Sequence, residues 1–283
     1  MSHHEPGCVF AAHIREQLNS DEFIQLLTNT TTFRNISPDQ IPLATLEQIC
    51  TDLSQKPLVK GEHLNLKDEG EVVFEILSGC VKIYDRREDE PDKESEENPR
   101  ALLAWRVRGE LLGDFEFARP GERDEDYIEA TDESVLLKMP SHLLHEWAKN
   151  YPQIYLNIAR NLAEKARKAR IRAQILRLSG INYKTAQLFR ELLNERKTVE
   201  DPENPGVQIL NGSFRIADLA AFLGYQERAT EGAVTEMIRR KIIKHHKNNL
   251  TGRFEICDES GLEPYIKELK AADEKKRRGR RRM

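Results

Sequence analysis

Long hydrophobic runs are missing from this chain: no apolar stretch approaches the roughly 18 residues that a membrane helix requires, so no membrane span is expected. The opening residues, MSHHEPGCVF, lack the basic-then-apolar plan of a secretion signal, which points to a cytoplasmic protein. Cysteine is scarce. Cys8, Cys50, Cys80 and Cys257 lie far apart and form no C-x-x-C pair, so neither a disulfide framework nor a metal site is expected. Catalytic signatures are missing as well: there is no G-x-S-x-G, no P-loop, no metal-ligand spacing and no acid–base pair of catalytic sense, and an enzyme is therefore not expected.

What remains is a chain of 283 residues with ordinary apolar content, long enough for two domains with separate cores. A third of it is charged, yet the formal net charge is only −4. Acids crowd the front and middle, while the last nine residues, KKRRGRRRM, carry seven cations, an asymmetry that points to a polyanionic partner for the C-terminal part.

The grammar changes along the chain. Residues 1–56 read as short helices joined by turns, a helical cap on the next domain. Residues 57–140 carry six short β-type runs, HLNL, EVVFEIL, CVKIYD, ALLAWRV, DYIEAT and SVLLKM, spaced as in a small antiparallel barrel or jelly roll. The polar stretch DRREDEPDKESEENPR between two of them reads as a long solvated hairpin loop, a composition that would also suit docking to a basic surface. Residues 141–180 read as one long helix in which Leu162, Ala166, Ala169, Ala173 and Leu176 follow the 4-3 spacing of a coiled-coil seam, favouring a homodimer.

Residues 181–260 read as a winged helix-turn-helix. A helix, YKTAQLFRELLNER, is followed by a loop, VEDPENPG, and by a hairpin around Asn211 and Gly212. A second helix, Ile216 to Leu223, stops at Gly224, and a third runs from about Gln226 to Arg240, with Ala220, Leu223, Ala229, Ala233, Val234, Met237 and Ile238 facing inward. Two strands about an Asn-Leu-Thr-Gly turn form the wing, and residues 261–283 are left as a basic tail. Base readout falls to Gln226, Glu227, Arg228 and Glu231, whose amide, carboxylate and guanidinium match adenine, cytosine and guanine edges, with Thr230 and Thr235 near the backbone. Arg239, Arg240, Lys244 and Arg253 are candidates for phosphate contacts.

The order of these motifs resembles that of the cyclic-AMP receptor protein/FNR (CRP/FNR) family of transcription regulators over about Pro57 to Asp258. KGEHL and EILSGCVKIY are similar to the family's barrel strands, GELLGDF to the opening of its phosphate cassette, and IADLAAFLGYQERAT to its helix-turn-helix. The resemblance implies an α+β chain: an N-terminal cyclic-nucleotide-binding-like β-roll, a long dimerisation helix and a C-terminal winged helix-turn-helix on a pseudo-palindromic operator in double-stranded DNA, with RNA polymerase as a further partner. It also implies a ligand site at Gly109, Glu110, Leu111, Arg123 and Asp124, with Glu110 in the ribose-binding place and Arg123 in the phosphate-binding place.

Asp124 stands where the family has Ser or Thr. A carboxylate within about 4 Å of a phosphate repels it by about 1 kcal/mol in water and by more in a dry pocket. This argues against classical cyclic AMP; no cofactor is expected, and another cyclic nucleotide, a cyclic dinucleotide, a different ligand or none remain open. Haem ligation would fall to His63 or Cys80, types more often core or surface on a strand. The alternative from outside the regulator class is a nonspecific DNA-binding architectural or scaffold protein.

Overall fold

All six β-type runs form strands in the computed structural model of the chain, which describes residues 30–36, 49, 52–84, 102–119, 127–194, 198–201, 204–210, 215–248, 251–256 and 259–280. The chain divides into two compact units, Met1–Arg86 with Trp105–Ala166, and Arg87–Ala104 with Arg167–Met283.

The first unit is built on β1 (Ser54–Leu58), β2 (His63–Asn65), β3 (Val72–Ser78), β4 (Cys80–Tyr84), β5 (Leu102–Val107, whose first three residues belong to the second unit), β6 (Leu111–Leu112), β7 (Tyr127–Ala130) and β8 (Ser134–Pro140). They form two four-stranded sheets, β1-β8-β3-β6 and β2-β7-β4-β5, the β-roll expected from the sequence. The roll begins at Ser54, a few residues before Pro57, because β1 pairs with β8 from Ser54 opposite Lys138. Between the sheets lie Phe74, Ile76, Val81, Ile128 and Leu136, all essentially inaccessible. Glu75, a buried acid on β3, accepts hydrogen bonds from the Thr31 and Thr32 amides and the Thr32 hydroxyl, which tie the turn at 30–36 to β3. Burial pushes its carboxyl up, and the three donors oppose that shift.

The single helix expected over 141–180 is two. After a short α1 (Asp114–Ala118), α2 (Ser141–Asn150) ends before Tyr151–Pro152 and α3 (Gln153–Leu176) begins after them. Proline has no N–H to continue the ladder and pushes the residue before it out of helical geometry, and Tyr151 sits at φ −126°. Ile154 and Ile158 of α3 pack into a core with Leu144, Trp147 and Phe33, with Leu162 half-buried against it. Leu162 therefore departs from the expected seam, whereas Ala166, Ala169, Ala173 and Leu176 are exposed, as is Leu156 further up the helix.

The second unit carries α4 (Ile181–Asn194), β9 (Thr198–Asp201), β10 (Asn204–Leu210), α5 (Ile216–Leu223), α6 (Glu227–Arg239), β11 (Ile243–Asn248), β12 (Thr251–Ile256) and α7 (Glu259–Arg280). Its sheet runs β11-β12-β10-β9. β9 and β10 pair antiparallel within the stretch read as a loop, and Asn211 and Gly212, the turn expected for the hairpin before the helix-turn-helix, lie outside the described residues. The basic tail is also corrected. Residues 259–280 are helical, and Leu262, Tyr265 and Ile266 bury an apolar stripe at helical spacing.

Candidate functional site

The helix-turn-helix follows from local chemistry. Asp218 accepts from the Arg215 amide at 3.1 Å and from its guanidinium at 3.2 and 3.0 Å, which starts α5. Gly224 ends it at φ 68°, a left-handed conformation that glycine adopts without a side-chain penalty. Gln226 then caps α6 in an extended conformation, and Ala233, Val234 and Met237 turn inward against Leu219 and Leu223 to form the core. Ala229 and Ile238, expected inside, are exposed.

The face left outward at the start of α6 holds Gln226, Glu227, Arg228 and Glu231, with Thr235 one turn on, all exposed. Thr230 is not part of it: its side chain is fully buried and its hydroxyl donates to the Gln226 carbonyl at 3.4 Å. Three of the four expected phosphate contacts, Arg239, Arg240 and Lys244, have acidic partners within the protein. Arg239 makes a two-pronged pair with Glu236 at 2.8 and 2.7 Å. Arg240 bonds Glu236 at 2.7 Å and grips Glu268 of α7 at 2.7 and 3.0 Å, its guanidinium 4.4 Å from the Tyr265 ring centroid. Bonds from Arg239 and then Arg240 hold the Glu236 carboxyl down to about 2. Lys244 pairs with Glu255 at 3.1 Å, and Arg253 lies opposite His246 in the β11–β12 ladder. The clasp between Arg240 and α7 was invisible in the sequence because its partners are 28 residues apart.

In the first unit the described residues of the cassette-like loop have partners within the protein. Gly109 takes φ 81°, and its carbonyl accepts from the Thr31 hydroxyl at 2.6 Å. Glu110 closes its own turn, accepting from the Val107 amide at 2.8 Å with Arg106 3.9 Å away. Leu111 is fully buried in the core. Arg123 and Asp124 lie outside the described residues.

Sequence reasoning missed the acid that matters here. Asp114 opens α1 after Gly113, at a helix N-terminus where a bound anion would otherwise gain from the free N–H groups. Its carboxylate is buried and paired with the Lys165 ammonium from α3, while its second oxygen has no hydrogen-bond partner. Burial pushes the Lys165 ammonium down, and Asp114 opposes that shift. Gly113 is required at this point: at φ 73° a Cβ would stand 2.5 Å from the Val72 carbonyl oxygen.

Two further residues take bland roles. Cys80 is a buried thiol on β4 outside any disulfide, and His63 is exposed and stacked on Tyr127 at 4.9 Å. Among the described residues no group of His, Cys, Asp or Glu is placed to hold a metal, and no helix is long and apolar enough to cross a membrane.

Within the second unit, Arg172 of α3 is half-buried without a carboxylate partner. It donates to the Leu103 and Leu102 carbonyls at 2.6 and 2.7 Å, and its guanidinium lies 4.4 Å from the Phe222 ring centroid on α5.

A β-roll followed by a winged helix-turn-helix is the architecture of the CRP/FNR transcription regulators. Solved structures of that class share it with this chain. FixK2 from Bradyrhizobium japonicum superposes with a TM-score of 0.58 at 16% identity, over 75% of this chain and 96% of that one. A CooA mutant from Carboxydothermus hydrogenoformans gives 0.57 at 14% identity, over 77% and 90%. A CRP/FNR-family transcriptional regulator from Thermus thermophilus gives 0.55 at 17%, over 75% and 98%. Neither protein-family models nor curated protein sequences give a match.

Proposed function

We propose that the chain is a homodimeric, sequence-specific DNA-binding transcription regulator of CRP/FNR type, whose barrel senses a non-classical ligand or acts without one. The observation that carries this reading is the α6 face: three different base-reading chemistries, amide, carboxylate and guanidinium, stand exposed on the first turns of the second helix of a helix-turn-helix. The exposed Ala166, Ala169, Ala173 and Leu176 support the dimer, since small residues let two copies of α3 approach closely. The Asp114–Lys165 pair supports a barrel without a classical nucleotide, because the chain's own carboxylate stands at the N-terminus of α1. We place the protein in the cytoplasm, in reach of its DNA.

Arg228 has no ion pair among the described residues and is the residue best placed to read guanine. Fluorescence anisotropy on the upstream DNA of its own coding region, with random-DNA competitor, tests this. Arg228→Ala is expected to weaken specific binding by about 1–3 kcal/mol, roughly five- to 150-fold, while leaving binding to random DNA unchanged. Equal losses on both DNAs would favour the architectural reading, in which contacts go to phosphates alone.

A further inference from the structure

On the first unit a cleft of about 440 Å³ opens between the turn at 30–36, the start of the cassette-like loop and α3. That volume lies within the range of about 300–1,000 Å³ of small-molecule sites. Arg34, Asn35, Gly109, Arg160, Asn161 and Glu164 line it.

Its frame is rigid. The Thr31 hydroxyl is held on the Gly109 carbonyl, and a Cβ at Gly109 would come within 3.0 Å of that hydroxyl. Asn157 anchors the α3 wall: its amide donates to the Thr32 and Arg34 carbonyls at 3.1 and 2.7 Å, and its oxygen accepts from Gln153 at 2.8 Å and Arg160 at 3.4 Å. One turn on, the side-chain oxygen of Asn161 is buried in the wall with no hydrogen-bond partner.

The lining asks for two chemistries at once. Arg34 and Arg160 are exposed guanidiniums, suited to a carboxylate. The Asn161 oxygen is an acceptor that calls for an N–H or O–H, so a simple carboxylate would leave it unpaired. We propose that this cleft is an effector site for a small organic acid bearing a hydroxyl or amino group beside its carboxylate. It is separate from the cassette acids. Asn157, Asn161 and Glu164 share one face of α3, turned away from the exposed stripe at Ala159, Ala163, Ala166 and Ala173, so a second copy packed on that stripe leaves the cleft open. A ligand here touches Gly109 and α3 together, the contacts needed to favour one arrangement of the helix over another.

Isothermal titration of the full chain with L-malate, L-glutamate, succinate and inorganic phosphate, each to about 10 mM, tests the site. Malate or glutamate is expected to bind saturably, and succinate, which lacks the donor, about tenfold more weakly or not at all. Phosphate is expected to give no saturable heat. Arg34→Gln and Arg160→Gln are each expected to weaken binding about tenfold or more at an unchanged melting temperature, since both side chains are exposed. No saturable heat with malate and glutamate, or binding that neither variant weakens, would overturn the proposal. No DNA enters the assay, so its failure leaves the DNA-binding reading standing.

Discussion

Replacing Lys165 with methionine should lower the unfolding free energy of the first unit by about 3–5 kcal/mol, the cost of leaving a buried charge without its partner. Asp114 is 1% exposed, one of its oxygens is already unpaired, and Lys165 is the partner of the other. The double variant Lys165→Met with Asp114→Leu should recover most of that loss, because taking two charges out of water costs about as much as their attraction returns. Both tryptophans, Trp105 and Trp147, belong to this unit, so urea unfolding followed by tryptophan fluorescence reads it selectively. A single variant as stable as the parent would mean that the pair does not hold α1 to α3.

The second large effect is expected at Arg172. Arg172→Ala removes two short charge-assisted bonds, a third at 3.4 Å to the Phe222 carbonyl and a stacked guanidinium, and strands the Leu102 and Leu103 carbonyls beside a buried leucine. About 3 kcal/mol should be lost, from roughly 1.5 kcal/mol or more per bond to a charged donor together with the cation–π contact. Arg172→Lys should restore less than half of it, since a point charge cannot serve two carbonyls and lie flat on Phe222. Thermal unfolding by circular dichroism checks both variants. Full rescue by lysine would show that charge alone matters there.

Features set by neighbouring residues were legible in the sequence. The strands are short β-type runs set off by turn residues, and α5 and α6 are bounded by Gly224 and by the Gln226 cap, so the helix ends fall within a residue of the reading. Local chemistry was enough there. Longer-range facts were hidden: Asp114 and Lys165 are 51 residues apart, and nothing in a Lys beside an Ala-rich seam says that it turns inward. The C-terminal cations read as a tail because charge runs are usually solvated, and the apolar stripe of Leu262, Tyr265 and Ile266 that makes their segment a helix precedes them. The long helix was read as continuous because the pattern on both sides of Pro152 is helical, and the break is a single residue's missing N–H. The seam slipped at Leu162 because an apolar residue at seam spacing also suits the barrel core.

The measurement that tests sequence-specific binding by a dimer most directly is nuclease footprinting of the full chain on its own upstream DNA, at near-physiological salt with excess random DNA. Such a dimer should protect a pseudo-palindrome, its half-sites centred about 34 Å apart as two α6 helices in successive major grooves require, and unchanged by added cyclic AMP. Binding without a footprint, falling steeply with salt and equal on any DNA, would contradict it.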